Sequence, residues 1–499
     1  MGNSCSSEDA QSLKRIGARI APFFLITTVV ACLRRDSEVA GPHLALPLAI
    51  AVMMASAGLL AAREACASEA ITGEEPVAES VEEASTPFDR VFRRRIRERT
   101  FFPVLKGLLQ DLPPFFRDTE VVAHVRTYFW DEDRTDDSIR RAWAYGGALG
   151  YRSGWLGETF QIGAELYTSQ RALGKESEGG TQLLEPVQDP YIVLGQAFAK
   201  LRHGDHALTV YRQELDLPYV NRQDSRMTPN TFEAYAVRGE FREVPVMNTL
   251  GYTGGYIRKI KLRNSEDFIS MSEAAGVQGA DEGMAFSGLL FQPCDALTFG
   301  AIDYFVEDVL NLAYVEARLT YELSDSLQWG VSGQFTHQSS VGRNRLTGDD
   351  FATWVVSLRS TVTYRGAGIW AAFSTTDEAE PIRSPWGSYP GHLSLMQLDF
   401  NRAGENAWGA GLSYHFDHLG LEGLSAFAAY AQGFDALDPA TGDFLPDRRE
   451  VDATIDYRIT DGMFRGFWLR LRGSWIDVDG VGNDGTQLRV ILNYDIPVL

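Results

Sequence analysis

The sequence predicts an all-β fold, an 18-stranded antiparallel transmembrane β-barrel. Three observations carry that expectation. From Val121 onward, segments of about ten residues alternate apolar with polar or small side chains. The connections between them alternate short with long. The chain also opens with what reads as an export address.

The address is the apolar run Leu44–Ala62, followed by Ala65-Cys66-Ala67 before Ser68. Small residues at −3 and −1 after such a run form the signal-peptidase pattern, and Arg34 and Arg35 lie upstream. The run is also long enough to be a transmembrane anchor, and Val29–Cys32 loosely resembles a lipoprotein box. On the signal reading, residues 1–67 are an over-long start plus the signal peptide. Residues 68–117 form a linker and a basic segment, and 118–499 form the barrel.

The linker begins as acidic Ser68–Pro87, which has no apolar period and reads as disordered. Arg90, Arg93, Arg94, Arg95, Arg97 and Arg99 then fall in an apolar-basic stretch. It is either an amphipathic helix on the inner rim or a solvated one.

The strands follow in order. Val121–Trp130, Ala142–Tyr151, Thr159–Thr168, Pro190–Leu201, Ala207–Leu215 and Phe232–Glu240 are the first six. Gly251–Leu262, Gly283–Phe291, Ala296–Val306, Asn311–Glu322, Leu327–His337 and Phe351–Thr363 are the next. Gly368–Thr375, Ala407–Phe416, Gly423–Ala431, Val451–Tyr457, Gly466–Ile476 and Thr486–Asp495 complete the set. No long helical period interrupts them, which argues against a parallel βαβ fold. Bacterial barrels have even strand numbers, short inner turns and longer outer loops. Arg152–Glu158 and His203–Asp205 are short, whereas Ser169–Asp189 and Asp216–Thr231 are long. His392–Phe400 also alternates, but counting it would invert the later loops, so it reads as part of a folded outer loop. Phe241–Leu250 is long for a turn, and the connection near Glu307–Leu310 is short for an outer loop.

Residues i and i+2 share a face of a strand. Leu469, Leu471 and Trp475 therefore lie opposite Arg470, Arg472 and Ser474. An arginine at mid-membrane facing lipid costs roughly 2–4 kcal/mol, so the arginine face looks inward. Arg489 lies inward with Gln487 and Asn493, and the same alternation turns Lys259, Lys261 and Arg263 inward. A soluble sandwich shows the same local pattern; the export address, the strand count and the loop asymmetry together argue against it.

Composition excludes other classes. The net charge of −21 lies entirely after residue 117, so a nucleic-acid partner has no electrostatic support. Cys5, Cys32 and Cys66 lie in or beside the export region, so a processed chain keeps Cys294 as a lone thiol and has no cysteine-cluster metal site. No nucleophile elbow, Walker loop or His-Glu-x-x-His occurs. His203 and His206 flank a tight turn, and Asp477–Gly485 lacks the closing glutamate of an EF-hand loop. No enzyme activity, cofactor or metal is expected.

Four stretches resemble the OprD-type family of specific outer-membrane porins. They are His124–Trp143, Asp224–Phe232, Trp386–Gly391 with Asp399–Trp408 and its continuation to Leu421, and Arg489–Tyr494. The resemblance spans about Phe116 to Leu499, and residues 68–117 have no counterpart in it. It implies a barrel narrowed by inward-folded loops, with a row of basic side chains facing an acidic and aromatic patch. It also implies small carboxylate-bearing solutes, either basic amino acids or aromatic and cyclic acids, crossing by passive diffusion. Carried onto this sequence, the basic ladder is Arg140, Arg470, Arg472 and Arg489. Lys259, Lys261 and Arg263 join it from alternation alone.

Arg222, Asp224 and Arg226 lie where an inward third outer loop would sit, and either line the constriction or pin the loop to the wall. Asp303 and Glu307 are candidates for the acidic patch. Expected partners are the solutes and the lipid and lipopolysaccharide of the outer membrane; monomer and homotrimer both stay open. An outer-membrane hydrolase and a plugged structural or adhesive barrel are the alternatives.

Overall fold

The computed structural model describes residues 102–499, except 245–246, 463 and 483. The export address, the acidic linker and Arg90–Arg99 lie outside the described residues. The strands are β1 (Glu120–Asp133), β2 (Ile139–Arg152), β3 (Phe160–Leu173), β4 (Tyr191–His203), β5 (His206–Gln213) and β6 (Thr231–Val244). Then come β7 (Met247–Lys261), β8 (Phe268–Ser270), β9 (Met284–Cys294), β10 (Leu297–Val306), β11 (Leu310–Ser324) and β12 (Leu327–Ser339). The last are β13 (Ala352–Tyr364), β14 (Ala367–Thr376), β15 (Asn406–His415), β16 (Leu424–Phe434), β17 (Arg448–Arg458), β18 (Trp468–Val478) and β19 (Gly485–Pro497).

Every pairing is antiparallel and joins chain neighbours, apart from the seam and the β7–β9 pair. The seam closes the ring: β1 pairs with β2 on one side and with β19 on the other, from Val122–Pro497 to Asp133–Thr486. Closure satisfies the backbone polar groups that lipid could not. The three-residue β8 is not a wall strand. It clips onto the end of β7, while β9 pairs with the rest of β7. The wall is therefore eighteen long strands, each coinciding with one segment read from alternation.

Nine connections lie at one end and include all the long ones; the other end has the eight short turns and both described termini. His392–Phe400 sits within the β14–β15 connection, as expected. The Phe241–Leu250 irregularity resolves as hairpin, since β6 and β7 continue to Val244 and Met247. Alternation continues into it, since Glu240 and Arg242 form an ion pair at the cavity surface while Phe241 between them is exposed. Cys294, expected as a lone thiol once a leader is removed, is disulfide-bonded in the full chain.

Alternation decides the faces. Leu358, Val362, Ile369, Phe373, Leu412 and Leu471 are exposed on the outside, where lipid covers them. Short helices α1 (Pro103–Leu109) and α2 (Pro114–Arg117) precede the barrel. The backbone N–H of Gly154, in the β2–β3 turn, donates to the Phe115 carbonyl at 2.9 Å, which ties α2 to the inner rim.

Candidate functional site in the barrel lumen

Two outer loops fold into the lumen. L3 (214–230) joins β5 to β6, and L7 (377–405) joins β14 to β15. Apolar packing carries them in: Tyr219 and Val220 of L3, and Trp386 and Tyr389 of L7, are buried against inward Ile257, Phe286 and Tyr314. Burying each such ring contributes roughly 3 kcal/mol. The loops also clasp each other. Asn221 Oδ1 accepts from the N–H and Oγ of Ser388 at 2.9 and 3.1 Å, and its Nδ2 donates to the Ser388 carbonyl at 3.2 Å. A Cβ at Gly387 would lie 2.7 Å from the Asn221 backbone nitrogen, so this contact needs glycine.

The wall moors L7 independently. Glu450 and Asp452 on β17 accept the backbone N–H groups of Gln397, Leu398 and Met396 at 2.8–2.9 Å. The fully buried Glu405 carboxylate takes both Arg402 and Arg448. What remains open is a cavity of about 2830 Å³, bordered by Arg140 and Gly180 towards the outer end and by Arg152, Asp295 and Glu322 towards the inner.

One side of this cavity is a run of guanidinium groups. Arg472 and Arg489 are direct partners across β18 and β19, and Arg470 lies one inward step from Arg472, about 6.6 Å along the strand. Arg470 makes a two-point contact with Asp456, 2.7 and 2.8 Å. Arg472 donates to Thr454 Oγ1 at 3.2 Å. Arg489 donates to the Met396 carbonyl of L7 at 3.0 Å and sits 4.0 Å above the Trp130 ring. Arg226 of L3 lies 4.2 Å from the same ring. Arg263, just past β7, donates to Ser225 Oγ at 2.7 Å and to Gln182 Oε1 at 2.6 Å. Burial, and then Arg489, push the Arg263 guanidinium down to about 10. The same causes, with Arg263 acting first among the neighbours, hold Arg226 well below its ordinary value. Arg140 stands at the outer end of the run, 4.0 Å from Glu132.

Acid enters with L3. Asp224 receives Arg126 at 2.6 Å and Arg222 at 3.2 Å. Burial alone would raise its carboxyl, but those two cations outweigh burial and hold it well below the usual carboxylate range. Asp224 thus both lines the cavity and pins L3 to β1. Beside it, Arg222 lies 3.6 Å from Glu214, which accepts from Tyr167 at 3.1 Å. Glu165 accepts from Gln196 at 2.6 Å. Glu165, Glu214 and Asp216 form an acidic patch of the lining beside L3.

Arg140, Arg470, Arg472, Arg489, Arg263, Arg222, Asp224 and Arg226 therefore all border one cavity. Four expectations need correction. A β-bulge opposite Glu233 and Ala234 makes Arg258 an extra residue in β7, so parity no longer carries Lys259 and Lys261 to the cavity surface. Lys259 pairs with Glu233 and Ser270. Lys261 is fully buried behind L3, donating to Thr228 Oγ1 at 3.2 Å and to the Leu262 carbonyl at 3.0 Å. Asp303 is outward, because Ile302, Tyr304 and Val306 take the buried face of β10; its carboxylate accepts from Asn311 at 3.0 Å. Glu307 is exposed in the β10–β11 turn.

The lining also includes residues outside the expected ladder and constriction. Arg126 was accessible, since it alternates inward with Tyr128 and Trp130. Arg318 and Arg359 lie on the far wall with His392 of L7. The His392 ring bonds Ser332 and Ser357 at 3.0 and 3.1 Å. Burial, then Arg359 and Arg318, push His392 down to about 3, so it is neutral. Among the described residues no His/Cys/Asp/Glu group has the geometry of a metal site.

A family model for outer membrane porins of the OprD family matches residues 113–498. Porin D of Pseudomonas aeruginosa is 20% identical over 416 residues, covering 77% of this chain and 92% of that protein. The porin-like protein GalP of Pseudomonas putida is 22% identical over 434 residues, covering 80% and 99%. Among solved structures, Pseudomonas aeruginosa OccK9 aligns with TM-score 0.69 at 23% identity over 77% of this chain and all of that one. Pseudomonas aeruginosa OpdK, solved with vanillate, aligns with TM-score 0.68 at 22% identity over the same shares.

Proposed function

The chain belongs to the OprD family of outer membrane porins, and from that premise we propose that it conducts small monocarboxylates by passive diffusion along the Arg226–Arg489–Arg472–Arg470 wall. It is an outer-membrane channel protein of bacteria by family and by fold. The observation that carries the finer reading is the continuity of that wall through the constriction made by L3 and L7.

Each guanidinium presents a planar fork that matches a carboxylate in two-point geometry. Forks on paired residues, or one step of about 6.6 Å along β18, let the anion bind the next before leaving the last. None holds it too tightly, because each arginine already has a neutral or acidic protein partner to return to: Asp456, Thr454 or the Met396 carbonyl. Trp130 below Arg489, and Trp468 4.6 Å from Arg470, give an aromatic solute flat surfaces beside the charge. The relative solved with vanillate, an aromatic carboxylate, supports this class of solute. In the same reading residues 1–67 are the export leader, 68–117 a periplasmic extension and 118–499 the channel. The acidic lining disfavours a second negative charge on the solute.

The test is single-channel recording of the full protein in planar bilayers with vanillate added. The parent should conduct in KCl and be blocked by vanillate. Arg470→Ala/Arg472→Ala should need about tenfold more for half-block, some 1.4 kcal/mol of lost interaction. Equal block in the two would overturn the ladder, and a barrel that carries no current would overturn the channel.

A further inference from the structure

A second group of cations lies at the inner mouth, on a different part of the wall. Phe198 of β4 borders the cavity, and Lys200 and Arg202 follow it at two-residue steps, so they share its inward face. Glu240 of β6 borders the cavity, and Arg238 precedes it by one such step. Arg152, at the end of β2, borders it directly. Small residues stand between the strands carrying these groups. Ala207 is paired to both Arg202 and Arg238, and Gly163 is paired to both Arg152 and Phe198. Long side chains on either side therefore reach over the gaps, and Lys200 lies within electrostatic reach of Arg238, Arg152 and Arg202.

The group is less neutralised than the inner end of the ladder, where Asp456 stands against Arg470. Among the described residues no carboxylate lies within ion-pair distance of Arg152, Lys200, Arg202 or Arg238, and Glu165 acts on Arg152 only from farther off. One arginine is nonetheless aimed: Arg202 lies 3.9 Å over the Trp155 ring and donates to the Glu158 carbonyl at 3.1 and 3.3 Å, while Lys200 is 6.0 Å from the same ring. Four like charges in one place are repulsive on their own, and an anion among them relieves that repulsion.

We infer that Arg152, Lys200, Arg202 and Arg238 form a receiving site for the solute carboxylate at the inner mouth, with Trp155 holding Arg202 in place. This rests on the carboxylate reading above and deepens it. A carboxylate that leaves the ladder is captured there before it enters the periplasm, and one arriving from the inner side meets this site first.

The test is vanillate block of the full protein in planar bilayers, with the compound added to one side at a time. For Lys200→Gln/Arg238→Gln, half-block from the inner side should need about fivefold more vanillate, with outer-side block unchanged within twofold. Arg238→Gln alone, an exposed residue, should give a smaller shift of the same sidedness if the double variant fails to fold. Inner-side block equal to the parent, or equal shifts from both sides, would overturn the site while leaving the ladder intact. A parent that vanillate blocks from neither side would overturn the carboxylate reading and this site together.

Discussion

β18 and the outer half of β7 carry the same sequence signature, basic residues alternating with apolar ones, and put it to opposite uses. In β18 the pairing to β17 and β19 runs unbroken from Trp468 to Ile476, so Arg470 and Arg472 reach the cavity and Leu471 reaches lipid. In β7 one extra residue, Arg258, breaks the register against β6. Beyond it Lys261 and Arg263 meet L3: Lys261 through Thr228, Arg263 through Ser225. The same residue types thus offer charge to a solute on one strand and moor a loop on the other. Two-residue periodicity assigns a face only as far as the register is continuous.

The largest expected effect tests the β18 half. Leu471→Arg places a guanidinium on the lipid face and should destabilise the folded barrel by about 2–4 kcal/mol if the site lies near mid-membrane. Guanidinium titrations of folding into lipid vesicles would measure it. A loss under about 0.5 kcal/mol would mean that Leu471 does not face hydrocarbon.

A smaller effect tests the β7 half. Lys261→Met removes two buried hydrogen bonds, and Thr228 keeps its contacts to Tyr191 and the Arg263 carbonyl. The expected loss is about 1–2 kcal/mol in the same titration, with vanillate block unchanged within twofold. Weakened block with unaltered stability would return Lys261 to the ladder and remove the contrast with β18.

How far the sequence could be read follows the same line. All eighteen wall strands were visible, because each combines alternation with a length suited to the membrane. The Arg470, Arg472 and Arg489 face was legible for the same local reason. Asp303 was misassigned because acid in a strand near the outer rim fits either face, and only Tyr304 packing inward decides it. The loop clasp was out of reach: Asn221 and Ser388 are 167 positions apart, and neither residue type signals a partner. Lys200, Arg202 and Arg238 alternate correctly, but nothing in one strand shows that Ala207 will let two neighbours converge.

The smallest expected effect concerns how L3 is held between these two regions. Its β1 mooring is Asp224 on Arg126, and its β7 mooring is Thr228 and Ser225 on Lys261 and Arg263. Asp224 has a folded-state value below its ordinary 3.8. A carboxyl depressed in this way contributes stability that is fully present above the unfolded value and is lost only as pH falls through the folded one. Between pH 7 and pH 5 Asp224 therefore stays ionised, and the β1 mooring does not loosen. Open-channel current noise arising from this mooring should be the same at pH 7 and pH 5, and should rise only once pH falls well below the ordinary carboxylate range. Asp224→Asn should show that raised noise already at pH 7, since it leaves Arg126 buried with no full charge opposite it. Noise that rises between pH 7 and pH 5 in the parent but not in Asp224→Asn would mean that Asp224 titrates above its ordinary range, and that L3 is held from the β7 side alone.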